Sequence, residues 1–292
     1  MTRVMIIRLI AYTESEMATY SDQFLGLKTI FEQTGFPYWV LVQEQTVLGL
    51  IVAAKEPREL LQPANTTFIQ IYLFRHEPDA VLRLLSEAET IATSQQAAYL
   101  SCMIDADKQE TIQALQDATF SVYDETVKMG VPLQDVTFPH THLTFTRASP
   151  DETSLILNNL ETMMHNTPDR LLHTVVYNIR QLPPDQLEST LSQMEVIIVK
   201  DQANTVGVIS LEGPTIGMLG VHPSMRGKGY GRIMTQWAKG HLADQGHFRA
   251  WLRVSIANKP ARHIFETEGF KVSEQKKLYI KTNPNLWHSI PE

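Results

Sequence analysis

Cysteine is nearly missing from this chain: Cys102 is the only one among 292 residues. A lone thiol cannot close an internal disulfide, and with no Cys-x-x-Cys or paired His/Cys spacing the sequence carries no structural zinc signal. Cys102 lies in the apolar run Tyr99-Leu100-Ser101-Cys102-Met103-Ile104, which reads as a strand with a packed core thiol rather than a nucleophile. Long apolar runs are lacking too. None reaches the roughly twenty residues of a membrane-spanning helix, and Met1-Thr2-Arg3-Val4 leads into a short strand rather than a secretory leader. The expected location is cytoplasmic, with no membrane partner. Positive charge is in deficit: 25 Lys and Arg stand against 32 Asp and Glu, a formal net charge of −7. That balance argues against nucleic acid and against a basic membrane-surface helix. The composition that remains, 43% hydrophobic and 20% charged, is that of a globular protein with a real core, of a length that suits one large domain or two ordinary ones.

The chemistry concentrates in Gly220-Val221-His222-Pro223-Ser224-Met225-Arg226-Gly227-Lys228-Gly229-Tyr230-Gly231. An apolar run from Ile216 to Val221 ends at a turn, passes a glycine-rich loop and enters an amphipathic segment starting at Arg232, which is the order strand, loop, helix. Glycines at 227, 229 and 231 let a ligand approach the backbone, and the unpaired N–H groups of a helix start favour phosphate oxygens. Arg226 and Lys228 add positive charge. The nucleoside-triphosphatase loop requires Gly-Lys-Ser/Thr, but Lys228 is followed by Gly229; the dinucleotide fingerprint requires Gly-x-Gly-x-x-Gly, and this loop runs Gly-x-Gly-x-Gly.

Arg226, Gly229 and Gly231 resemble the Arg/Gln-x-x-Gly-x-Gly/Ala loop of the GNAT superfamily of acyl-CoA-dependent N-acetyltransferases. An ordinary glycine-rich turn is the competing reading of the loop alone. Downstream stand the strand Arg249 to Ser255, then Asn258, Ala261 and the closing Gly269-Phe270, which resemble the second signature of the same family. The close resemblance covers roughly 195–280. The fold it implies is α/β (α+β), a mixed, mostly antiparallel sheet flanked by helices.

The rest of the chain repeats this order. A strand from Val4, a helix over Glu14 to Gln33, a hairpin (39–42 and 47–52), a strand (67–74), a helix (79–94), a strand (99–104), a helix (108–117) and a strand (120–127) are expected. Asp105 to Phe120 and Ser255 to Phe270 then align at a constant offset, and Gly49 matches Gly207. Two tandem GNAT-like domains follow: 1–135, a linker or strand at 136–148, and 149–292 as the acetyl-CoA-binding copy. The first copy is expected to be degenerate. Its loop position reads Arg75-His76-Glu77-Pro78-Asp79-Ala80, without glycine and with two carboxylates that repel a pyrophosphate, and Lys108 replaces Asn258. His140 and His142 share one face if that stretch is a strand, but no acidic or sulfur ligand accompanies them, so no metal site is expected. Ser149 to Glu152 forms a capping box for the next helix, and further helices follow Pro168 and Pro183-Pro184.

The resemblance implies a site. Acetyl-CoA, as co-substrate without a metal, would lie between the fourth and fifth strands of the second copy. The backbone of Leu219 and Val221 would meet the pantetheine, Arg226, Gly227, Lys228, Gly229, Tyr230 and Gly231 the pyrophosphate, and Asn258 would bond the pantetheine. The Leu219 N–H would support the developing oxyanion. An attacking amine must be neutral, so a base is expected. Thr215 occupies the position of the family's glutamate, leaving Glu212 as the nearest carboxylate, and Phe265 stands where a tyrosine acid is common. A small-molecule or peptide amine is the expected acceptor; a non-catalytic acyl-CoA-binding or regulatory protein is the alternative.

Overall fold

The computed structural model describes residues 7–11, 38–44, 46–54, 66–75, 79–149 and 152–282. The helix expected over Glu14 to Gln33 lies outside them, as do Glu77, Pro150 and Asp151. The described residues fall into two compact units. One holds those up to Tyr123 together with 277–282, and the other holds 124–276.

In the first unit β1 (Ile7–Ala11), β2 (Tyr38–Gln43), β3 (Thr46–Ala54) and β4 (Thr66–Leu73) pair antiparallel in sequence order. β4 then runs parallel to β5 (Tyr99–Asp105), with four pairs from Thr66–Tyr99 to Ile69–Cys102. A parallel pair needs a crossover, and α1 (Ala80–Ser94) supplies it. Its expected apolar face, Val81, Leu84, Leu85, Ala88 and Ile91, is buried against Leu41, Leu48, Ile51 and Ile69. Cys102 belongs to this core, where burial pushes its thiol up to about 12. α2 (Gln109–Asp117) closes the order.

The second unit begins with the greater part of β6 (Ser121–Pro132), followed by β7 (Thr144–Arg147). Three helices come next: α3 (Thr153–Met164), α4 (Arg170–Gln181) and α5 (Pro184–Ser192). β8 (Glu195–Asp201), β9 (Asn204–Glu212) and β10 (Thr215–Val221) form an antiparallel meander. α6 (Tyr230–Asp244), β11 (Arg249–Ser255), α7 (Lys259–Thr267) and β12 (Lys271–Thr282) complete the chain. The strand order within the unit is β6-β11-β10-β9-β8-β7. Strand alternation separates two cores. One sheet face packs Ile197, Val199, Ile209, Leu211 and Leu252 with Met234, Ala238 and Leu242 of α6, and the other packs Val196, Ile198, Val208 and Met218 with α3 and α4.

Two differences from the sequence reading have local causes. The boundaries drawn at 135 and 149 do not coincide with those of the compact units, because β6 and β12 divide between them. β6 pairs with β11 from Thr126 to Pro132, whereas the end of β12 brings Tyr279 into the first core and Lys281 Nζ to Glu89 Oε1 at 2.7 Å. His140 and His142 do not share a strand. Pro139 lacks the N–H a ladder needs, residues 134–143 form no strand, and Thr141 Oγ1 accepts the Leu143 N–H. One bond of the expected capping box is in place: the Glu152 carboxylate accepts the Ser149 N–H at 2.8 Å.

Glu268 ties α7 to α6. Its carboxylate accepts from Arg232 Nε (2.8 Å), Gln236 Nε2 (3.0 Å) and Lys239 Nζ (2.9 Å). Burial alone would raise its pKa, but the bonds from Lys239 and Arg232 outweigh that and hold it below the usual glutamate value. A carboxyl lowered on folding adds stability that is complete above the unfolded value and lost as pH falls through the folded one. Glu268→Gln is therefore expected to cost roughly 2 kcal/mol at neutral pH, with the difference from wild type shrinking on acidification below about pH 4.3. Urea unfolding across that range tests it; a constant difference would refute the tie.

Candidate active site

β10 and β11 run parallel for two pairs only, Thr215–Trp251 and Ile216–Leu252. Beyond them the strands separate. A bulge begins the separation: the β9–β10 register shifts between Ile216 and Met218, and the Met218 N–H is taken by the buried Ser210 Oγ at 2.8 Å. The bulge also turns the strand over, so Ile216 packs in the α6 core and Met218 in the α3/α4 core.

Which backbone groups face the gap follows from register. The His222 N–H donates to the Val206 carbonyl, which puts Gly220 and His222 in hydrogen-bonding phase with β9. Alternation then directs the N–H and C=O groups of Leu219 and Val221 away from β9, toward the side β11 has left. The Leu219 N–H is thus presented to the gap. One of these groups is already engaged, since the Val221 carbonyl accepts from Arg226 Nε at 3.2 Å.

At the wide end of the gap the chain turns through Pro223–Met225 into the glycine loop. Gly227 and Gly229 have φ of +79° and +84°, which L side chains rarely adopt, and a Cβ on either would meet no atom within 4 Å. Gly229 is the N-cap of α6 and offers no side chain to cap it, so the first N–H groups of α6 are left for an external acceptor. Gly231 serves packing instead, since a Cβ there would sit 3.1 Å from Ile264 Cδ1.

The charged loop residues divide in role. Besides Val221, the Arg226 guanidinium donates to the carbonyls of Met163 (3.1 Å) and His165 (2.8 Å), binding the loop to the end of α3. It acts as a brace for the loop. Lys228 is exposed, with Nζ 3.5 Å from Met225 Sδ. Tyr230 Oη donates to Asp201 Oδ2 at 2.6 Å, and His142 Nε2 lies 3.4 Å from the other oxygen. The Tyr230 bond holds Asp201 below the usual aspartate value and raises the phenol in turn. His142 thus finds its partner in the loop's own support.

The other expected residues are placed as follows. Glu212 is exposed, opposite Thr215 at the closed end of the gap. Phe265 is buried, in edge contact with Phe270, so that position carries packing and no acid. The Asn258 carboxamide oxygen caps α7 through the Ala261 N–H at 3.3 Å, and its side chain also bonds Asp169.

Asp169 was not singled out from sequence, and neither were Asp124 and Ser255. All three are buried. Asp169 caps α4 by accepting the Leu172 N–H (3.1 Å), and its second oxygen accepts the Ser255 N–H (3.1 Å). Asp124 accepts the Leu171 N–H (3.0 Å) and the Ser255 hydroxyl (2.6 Å). Together they clamp the start of α4 to the end of β11. Burial, with the nearby Asp124 charge as a lesser contributor, raises the Asp169 carboxyl above the usual aspartate range.

The sheet thus opens between two parallel strands, with a bare glycine-rich helix start at its wide end. Residues 172–270 match the Acetyltransferase (GNAT) family, so this stretch is a GNAT domain. The whole chain is similar in fold to a GCN5-related N-acetyltransferase from Sphaerobacter thermophilus, with 12% identity, 94% of this chain and 95% of that one covered, and a TM-score of 0.64. It is also similar to a tandem GNAT protein from the clavulanic acid biosynthesis pathway, with 13% identity, 95% and 98% coverage and a TM-score of 0.59. A third likeness is to a glucosamine N-acetyltransferase region of a fungal multi-domain beta-N-acetylglucosaminidase, with 13% identity, 96% of this chain, 38% of that one and a TM-score of 0.62. At such identities the likeness is one of fold. No curated protein matches the sequence significantly.

Proposed function

We propose that the second unit is an N-acetyltransferase that moves the acetyl group of acetyl-CoA to a primary amine of a small molecule or peptide, by direct attack while both substrates are bound. The observation that carries this is the early end of β10–β11 pairing, which leaves the Leu219 N–H in the gap below the uncapped start of α6. The backbone of Leu219 and Val221 holds the pantetheine, and the N–H groups of Gly227 to Gly231, with Lys228, hold the pyrophosphate. Transfer forms a C–N bond and breaks the C–S bond. The Leu219 N–H supports the charge on the thioester oxygen, Glu212 takes the amine proton, and CoA leaves as a thiolate, which needs no acid at the Phe265 position. The first unit is a degenerate copy of the same domain: Asp79, at the N-cap of α1, sits where the second copy has glycine. We read the protein as cytoplasmic; among the described residues no helix is long and apolar enough to cross a membrane.

Calorimetric titration of the full chain with acetyl-CoA tests the reading, followed by a thiol-release assay over a panel of amines. One acetyl-CoA per chain is expected, with release for at least one amine. No binding would sink it. The buried Phe265 favours one second reading, an acyl-CoA-binding protein without turnover, which predicts binding and no release.

A further inference from the structure

One row of residues bears on the acceptor. The strand registers align Glu212 with Thr215, Thr215 with Trp251, and Trp251 with Gly130, a line across four neighbouring strands of the second unit. Cross-strand partners leave the same face of a sheet. Leu211, Ile216, Leu252 and Met129, their neighbours in sequence, are buried in the α6 core, so the row occupies the opposite face. It lies at the closed end of the gap, four residues or about 13 Å along β10 from Leu219.

The row has a chemical order. Glu212 is exposed and carries no ion pair among the described residues. Trp251, half-buried, lies on β6: a Cβ at Gly130 would stand 2.6 Å from its Cζ3 and 2.7 Å from its Cε3. Glycine weakens a strand interior and marks close approach, and here the approaching group is the indole. Two cations lie over the ring, Lys128 Nζ at 4.7 Å and Arg249 Cζ at 5.2 Å from its centroid. The neighbouring Arg253 is already paired with Glu274, while Lys128 makes its close contact with the ring.

We propose that this row is the acceptor strip of the transferase site, and that it takes a primary amine carrying a planar ring with an anionic group beyond the ring. The inference rests on the acetyl-transfer reading. Glu212 attracts the ammonium and takes its proton. The indole meets the ring by its edge. Lys128 and Arg249 bind the anion and, by repulsion, keep the ammonium from the wrong end. The polarity of the strip thus sets the direction in which the acceptor lies.

Binding of three amines to the full chain, hexylamine, phenethylamine and para-(aminoethyl)benzoate, tests the strip by calorimetry. Phenethylamine is expected to bind at least fivefold more tightly than hexylamine, and the benzoate at least fivefold more tightly again. Trp251→Ala removes the first step, Lys128→Ala the second, and Glu212→Gln weakens all three amines alike. Gly130→Ala displaces the ring and shrinks the first step while the indole remains; Trp251→Phe keeps a ring and keeps the order. Acetyl-CoA affinity, unchanged in each variant, shows that the gap and loop are intact. Equal affinities in the wild type, or an order that survives Trp251→Ala, overturns the strip. If the wild type shows the order but binds no acetyl-CoA, the transferase reading fails and the strip stands as an amine site.

Discussion

Gly229→Glu is expected to raise the dissociation constant for acetyl-CoA at least a hundredfold, about 2.7 kcal/mol. Two effects add. The residue holds φ of +84°, a conformation that costs a non-glycine residue roughly 1–2 kcal/mol, so the loop is pulled out of shape. The new carboxylate then stands at the N-cap of α6, where the dipole and the free N–H groups favour an anion. It occupies the phosphate site from within and repels the pyrophosphate from without. The fold is spared, because a Cβ there meets nothing within 4 Å and an acid at a helix start is stabilising in itself. Gly229→Ala carries the backbone strain without the charge and is expected to lose about five- to thirtyfold, by the same conformational estimate. Calorimetry on the three proteins separates the terms. A Glu variant binding within threefold of wild type would show that the pyrophosphate lies elsewhere.

The loop was legible because its chemistry is local. Glycines at 227 and 229, a following amphipathic run and a preceding apolar strand lie within a few turns of chain, and the structure assigns each glycine its own reason: positive φ at two, packing at Gly231. The helical face of α1 was legible for the same reason. Arg226 reads as a ligand because it is a cation beside a phosphate loop, and nothing local reveals the Met163 and His165 carbonyls some sixty residues away that it also serves. The division of β6 and β12 between the units was illegible, since which neighbour a strand pairs with depends on the whole sheet. The Asp169 clamp was hidden in the same way. Pro168-Asp169 before an apolar-periodic run signals an N-cap, but its other partner, Ser255, is 86 positions distant. The row from Glu212 to Gly130 draws on four strands, and it emerges only once their registers are known.

Asp169→Ala is expected to destabilise the protein by about 2–4 kcal/mol. Loss of the α4 cap accounts for roughly 1 kcal/mol, and the Ser255 N–H, left buried without an acceptor, for a further 1–3 kcal/mol. Removing a buried charge beside Asp124 returns part of this, and that part depends on pH with a definite sign. Burial raises the Asp169 carboxyl on folding, so the native state binds its proton more readily than the unfolded chain. Its ionisation therefore works against folding: the penalty is absent below about pH 3.9, the unfolded value, grows as pH rises through the raised native value, and is complete above it. Asp169→Asn keeps one acceptor and abolishes the titration. Wild type is then expected to exceed the Asn variant most at acid pH, with the difference narrowing toward neutrality, the opposite trend to that of Glu268→Gln, whose carboxyl is lowered. Urea unfolding of both variants between about pH 2 and pH 8, a range that extends below the reference carboxylate values for Glu268 and above them for Asp169, reads the two slopes. The clamp joins α4, on the face that carries the proposed acceptor strip, to the end of β11. Its release is therefore expected to widen the gap and weaken acetyl-CoA binding together with stability. An alanine variant within about 0.5 kcal/mol of wild type, the usual range of a neutral surface change, would show that neither depends on it.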